Sequence, residues 1–323
     1  MNFNLFVLLA VLIFLLIVYN LSRSSDNEAN VVLTVCPDNG TFSPKFMSAE
    51  VVKSEEKKGD PWKEEKFHLR SQCFYTAFYN TPDGHVWDKL SEATTYCQSK
   101  IQLKEESIKA LQNDDEVKHY LMPLEGVSLN NCHQITLGIG HDVKVETKLK
   151  EMFPTCGFQG ADPITKVNEK IYKPIGTYHP FAVGNQSKTE WTMVKEDPST
   201  QAYTNKEFVH VELVEFLRDH AKIPPMDLID QLLLDIEYAE YAMFDYFYKG
   251  GKLDQAGYTI CQWNGEFHGP NEVQKAAFGQ FLKRISHEER YLYFNAVQGW
   301  HTRLFFVNVE DSRCYDRYVA GRL

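Results

Sequence analysis

The segment from His133 to Pro163, HQITLGIGHDVKVETKLKEMFPTCGFQGADP, constrains this chain more than any other. An apolar run, Ile135 to Leu137, breaks at Gly138-Ile139-Gly140, and the apolar period then changes. Val145, Leu149, Met152 and Phe153 recur at i, i+4, i+7 and i+8, which is one face of a helix. Pro154 ends that helix, and Cys156 to Ala161 reads as a second strand closing on Asp162. Strand, glycine turn, helix, strand and acid form the unit that holds a nucleotide-like ligand at the carboxyl ends of a parallel sheet.

Each part answers a chemical need. Gly138 and Gly140 let the backbone pass close to a ligand, and the helix start offers N–H donors. Asp162 lies near the ~20-residue offset at which an acid accepts both hydroxyls of an adenosine ribose. The dinucleotide fingerprint fails, because Val143 stands where its third glycine belongs. S-adenosylmethionine has no pyrophosphate to cradle and tolerates that loss better than NAD. The bland alternative is a βαβ crossover with no ligand at all.

The chain opens with an apolar stretch, Phe3 to Tyr19, and carries no charged side chain before Arg23. Its unbroken core spans only ~21 Å as a helix, but every uncharged residue up to Ser22 extends it to about 33 Å. A bilayer core is ~30 Å thick, so residues 1–22 are expected to be a signal anchor or a signal peptide. Residues 23–65 read as a linker and 66–131 as a helical lead-in, with Trp87, Leu90, Ala93 and Thr94 on one face and Ile108, Leu111, Val117, Tyr120 and Leu121 on another. Residues 132–323 form the main domain.

Seven cysteines and two sequons, Asn39-Gly40-Thr41 and Asn185-Gln186-Ser187, suit an oxidising compartment. The expected location is therefore a membrane of the endoplasmic reticulum or Golgi, single-pass with the domain lumenal or extracellular, or secreted after cleavage. Cys132 and Cys156 lead two strands that should be neighbours, ~4.8 Å apart, which predicts a Cys132–Cys156 disulfide. Cys73–Cys97 is the candidate second pair, and the odd count leaves a thiol free or paired between chains.

Downstream, Thr177 to Val183, Glu190 to Val194 and Phe208 to Leu213 are strand candidates, and Leu213 to His220 reads as helical. Leu228 to Glu237 is an apolar run ending in acids, a buried parallel strand that should feed a helix from Tyr238. It sets Asp235 and Glu237 at the carboxyl edge beside the glycine turn. Tyr258 to Phe267 should deliver Glu266 and His268 to the same edge. Asp235, Glu237 and Glu266 could share that edge and a metal with it, but their spacing is not diagnostic, and no metal ligand is assigned. An amphipathic helix through Val273 and Ile285 precedes two antiparallel strands, Tyr291 to Val297 and Arg303 to Val309. A formal net charge of −10 argues against a nucleic-acid partner.

On the motifs TLGIGHDVKVE, GADP, HPFAVG, LLLDIEYAEY and ICQWNGEFHGP, the chain resembles the FkbM-type S-adenosylmethionine-dependent methyltransferases, including the membrane-anchored FkbM-domain proteins of nematodes. The resemblance runs from about His133 to the C-terminus. It implies a class I methyltransferase (Rossmann-like) fold, an α/β three-layer sandwich with a mostly parallel sheet and an antiparallel C-terminal strand. It also implies S-adenosylmethionine as cofactor, with Gly138 and Gly140 under the methionine moiety, Asp162 on the ribose and Ala182 near the adenine. Asp235 and Glu237 match the family's strand-four acids. Two departures stand out. Thr136 replaces the acid that opens the glycine motif, leaving Asp142 as a candidate anchor for the cofactor's amino group, and Tyr238 replaces the glycine of D-x-E-G-x-E. The expected function is O-methylation of a hydroxyl on a small molecule or glycan, with His268 the first candidate base and Glu237 the second. The rival expectation is a non-catalytic lumenal binding protein on a degenerate methyltransferase fold.

Overall fold

Two helices, α1 (Glu65–Tyr79) and α2 (Asp83–Lys100), precede a hairpin of β1 (Ile108–Gln112) and β2 (Val117–Leu121). Then come β3 (His133–Leu137), α3 (Lys144–Met152), β4 (Gly157–Ala161), α4 (Thr165–Tyr172), β5 (Thr177–His179), β6 (Ala182–Gly184), β7 (Lys188–Val194) and β8 (Thr204–Glu212). The chain closes with β9 (Leu228–Leu234), β10 (Thr259–Ile260), β11 (Gln262–Phe267), α5 (Glu272–Glu288), β12 (Tyr291–Gln298) and β13 (Thr302–Asn308). The computed structural model describes residues 64–194 and 203–323. The expected anchor and nearly all of the expected linker, with Cys36 and Asn39, lie outside them. Among the described residues no helix is long and apolar enough to cross a membrane.

The main sheet runs β12-β13-β11-β9-β3-β4-β5, with β10 also paired to β9. Pairings from β11 through β9, β3 and β4 to β5 are parallel, and β13 is antiparallel to both of its neighbours. From β3 the chain steps outward to β4 and β5, then returns to lay β9 on the other flank of β3. Strand order therefore reverses between β3 and β9, which opens a crevice at their carboxyl ends. Every residue of β9 is buried, as its continuous apolar run requires. Ile229, Leu232 and Leu234 join one apolar cluster with α1, α2 and α5; Leu228 and Leu233 join another with α3 and the C-terminal segment. On either side of a register shift between Ile229 and Gln231, β9 thus feeds two layers, giving the three-layer sandwich.

Three expectations need correction. The second half of the lead-in is a hairpin rather than a helix. Its apolar residues recur at three-residue spacing, but the side chains of β11 settle the matter. Gln262 accepts from the Leu121 amide (2.7 Å) and donates to its carbonyl (3.1 Å), and Asn264 does the same at His119 (2.7 and 2.8 Å). These amide side chains grip β2 as a strand would, pinning the hairpin to the sheet face. The strand from Thr177 to Val183 breaks at Pro180, so β5 stays in the main sheet while β6 joins β7 and β8 in a separate sheet. The helix expected from Tyr238 is reduced to a short 3-10 turn, Ala239–Ala242, and one α turn, Phe244–Phe247. Glu237 and Tyr238 both adopt left-handed backbone, φ +52° and +73°, which turns the chain before a helix can propagate.

Both expected disulfides are present, Cys73–Cys97 and Cys132–Cys156, the latter across Cα atoms 4.6 Å apart at the leading ends of β3 and β4. A third, Cys261–Cys314, ties the β10–β11 junction to the C-terminal segment.

Candidate active site at the carboxyl edge

The glycine turn is fixed from below and open above. Gly138 has φ +82° and no room for a Cβ, which would fall into the Asp235 carbonyl of the adjacent strand. Glycine is required there for close approach as well as for φ. At Gly140, φ +61°, nothing lies within 4 Å of an added Cβ, so the tip faces open space.

The amides that would cradle a phosphate are already spent. Asp162 Oδ2 accepts from the amides of Ile139 (2.9 Å) and Gly140 (3.4 Å), and Oδ1 accepts from Ile164 (2.7 Å). His141 donates to Asn168, Val145 to Asn113, and Lys144 to Asp142. With these donors consumed, the turn is no pyrophosphate site, which disfavours NAD. Asp162 is a buried strut of the turn, and burial raises its pKa against the pull of those amides. Asp142 is likewise engaged, on Lys144 with one oxygen and on the Asp114 amide with the other (2.7 Å). Ala182 belongs to β6 and pairs with His210 in the small sheet, apart from the strand that Asp162 ends.

Asp235, Glu237 and His268 do come together. His268 Nε2 lies 3.5 Å from Asp235 and 3.3 Å from Glu237, and Nδ1 is 2.9 Å from Glu240, which is 1% exposed. Burial opposes the imidazolium, but the Glu240 hydrogen bond and the three carboxylates raise its pKa to about 10. The carboxylates thus favour the imidazolium form of His268, which weighs against it as the base. Glu237 suits that role better. Burial pushes its pKa up to about 7 against the attraction of His268, and the Tyr203 hydroxyl hydrogen-bonds to it. The Tyr238 ring packs 5.3 Å from that of His268.

The hairpin adds charges that no local motif announced. Lys118 sits 2.7 Å from Glu116 and 3.9 Å from Asp235. Burial works against its ammonium, yet Glu116, Asp235 and Glu266 hold its pKa above the usual range. Arg303 forks onto both oxygens of Glu266, at 3.0 and 2.8 Å, and reaches Glu116 at 3.3 Å. Oxygens of Glu116, Asp235 and Glu266 lie within 4.8 Å of one another, close enough to share a metal ion. The chain supplies its own cations to that cluster in Lys118 and Arg303. The one clue in the sequence was alternation: Gln262, Asn264 and Glu266 form a polar row on a buried strand, and such a row needs a cover.

A mostly parallel α/β sheet with a glycine turn and paired acids at its switch point defines a nucleotide-type cofactor fold. The family model described as the methyltransferase FkbM domain matches residues 86–294, well over half of the 323 residues. The chain belongs to the FkbM methyltransferase family. The match begins within α2 and ends within β12, so the family extends further toward the N-terminus than the motifs from His133 onward suggest. No curated protein matches the chain.

Proposed function

We propose that this protein is an S-adenosylmethionine-dependent O-methyltransferase acting on a hydroxyl, with a sugar or glycan as the acceptor class. The observation that carries the reading is the Glu237–His268 pair at the switch-point crevice, 3.3 Å apart and next to Asp235, whose carbonyl packs on Gly138. The turn fits the cofactor on two counts: open space at Gly140, and turn amides spent in a way that leaves no phosphate site. When bound, S-adenosylmethionine supplies an electrophilic methyl group. The chain orients the acceptor oxygen toward it and removes the proton. Glu237, ionised above about pH 7, accepts the hydroxyl proton as the oxygen–methyl bond forms. His268 stays protonated and holds Glu237 and Asp235 in place. Holding the two reactants together supplies most of the acceleration.

Support for a sugar comes from Trp300, 76% exposed on the β12–β13 turn. Its indole packs on Gly269, directly after His268, and so offers a bare aromatic face beside a polar edge. That pairing suits a sugar ring, with its apolar face and rim of hydroxyls. Disulfides and the sequon at Asn185 support a lumenal or exterior location, with membrane attachment through residues 1–22 or secretion after cleavage. Mobility on endoglycosidase digestion after expression in eukaryotic cells tests that topology; an unshifted band would favour a cytosolic domain.

A binding-only reading draws on the Tyr238 ring beside His268. Labelled methyl transfer from S-adenosylmethionine to a panel of glycans tests between the two. Transfer abolished by Glu237→Gln supports the enzyme. Cofactor binding with no transfer to any member supports the binding protein.

A further inference from the structure

One carboxylate beneath the glycine turn has an oxygen without a hydrogen-bond donor. Glu146, in the first turn of α3, is 3% exposed. Its Oε1 accepts the Thr136 hydroxyl at 3.1 Å, while Oε2 is buried with no hydrogen-bond donor. Thr136 also receives the Tyr172 hydroxyl at 3.4 Å, so the donors on that side are used up. The charges facing Glu146 are Lys118, which favours its ionised form, and Glu116, which opposes it. Lys118 is already committed to Glu116 and Asp235. A buried carboxylate oxygen without a donor is unfavourable, and a ligand that brings one would relieve it.

We propose that Glu146 binds the α-ammonium group of the cofactor's amino-acid end. This rests on the S-adenosylmethionine reading above and assigns one of its contacts. An ammonium brings three N–H donors and a full positive charge, which is what a lone buried carboxylate oxygen lacks. The adenosine part brings only neutral donors and the sulfonium brings charge without an N–H, so neither supplies a charged donor. Thr136, two residues before Gly138, stands where the family resemblance implies an acid, and Glu146 accepts that threonine's hydroxyl. The acid missing from the strand is thus delivered by the helix. Asp142 is the weaker candidate, because each of its oxygens already accepts a backbone amide.

The test is calorimetry on the full chain with two ligands, S-adenosylhomocysteine and 5′-methylthioadenosine, which lacks the amino-acid end. Glu146→Gln, which keeps the side-chain volume, should weaken S-adenosylhomocysteine at least ~10-fold and leave methylthioadenosine nearly unchanged. Adding Thr136→Asp to Glu146→Gln should restore the lost affinity. With wild type alone, titrations near pH 6.5 in buffers of different ionisation enthalpy should show proton release with S-adenosylhomocysteine and none with methylthioadenosine. That readout does not depend on a variant folding. Equal loss of both ligands, or S-adenosylhomocysteine bound by Glu146→Gln as tightly as by wild type, would overturn the assignment. If wild type bound neither ligand, the cofactor reading itself would fall and carry this one with it.

Discussion

The Nε2 of His268 lies 3.3 Å from the Oε2 of Glu237, and the pairing sets the protonation state of both residues. Glu237 titrates near 7 and His268 near 10. Below about pH 7 Glu237 holds a proton and cannot accept another; above about pH 10 His268 loses the charge that holds the acids together. Methyl transfer should therefore rise through pH 7, level, and fall near pH 10. The imidazole resonances of His268 check the upper limb without an acceptor. They should report imidazolium well above pH 7, and a midpoint near the ordinary 6.5 would exclude the pairing.

Replacing Glu237 by glutamine removes the proton acceptor and keeps the shape. Transfer should drop by at least ~10²-fold, while S-adenosylhomocysteine affinity changes little. Turnover near the wild-type rate would mean that the base lies elsewhere.

Asp162→Ala is a stability variant before it is a binding variant. It strands the amides of Ile139, Gly140 and Ile164, which now share its carboxylate. Partly compensated by water, that loss should cost about 2–4 kcal/mol and lower the melting temperature by several degrees. A melting temperature equal to wild type would show that the turn stands without its strut.

Glu146 should tax the unliganded fold at neutral pH. A carboxylate held near 7 instead of 4.5 binds its proton in the folded state across that window, so stability falls as pH rises from 4.5 through 7. The full effect is roughly 3 kcal/mol. Glu146→Gln should melt above wild type at pH 8 and lose that advantage near pH 4. An equal gap at both pH values would contradict the burial of an ionisable group there.

Opening Cys132–Cys156 should be costly. The bridge closes a loop across a sequence separation of 24, and its removal should cost on the order of 3 kcal/mol. Chemical denaturation of a Cys132→Ser/Cys156→Ser variant measures this, and peptide mapping that found Cys132 alkylated in unreduced protein would exclude the bridge.

The sequence disclosed what depends on local period. The change from strand to helix spacing around Gly138 located β3, α3 and β4, and the continuous apolar run located β9. That placement alone brought Cys132 beside Cys156, and Asp235 and Glu237 to one edge with His268. What it concealed depends on contacts distant in the chain. The β1–β2 hairpin exists because Gln262 and Asn264 grip β2 from some 145 positions away, and no local pattern in residues 108–121 reports that. Lys118 reaches Asp235 only through that hairpin. His268 looked like a base because its residue type suggests one; Glu240, 28 residues earlier, favours its charged form. Asp162 sits where an acid should sit, and its bonds to the amides of Ile139, Gly140 and Ile164 were not legible in the sequence.

The central claim is a cofactor site for S-adenosylmethionine at the β3–β9 crevice. Calorimetric titration of the full chain with S-adenosylhomocysteine, and separately with NAD, tests it most directly. Saturable one-to-one binding of S-adenosylhomocysteine, with no heat from NAD, is the predicted result. NAD binding with none for S-adenosylhomocysteine, or no binding of either, would contradict it.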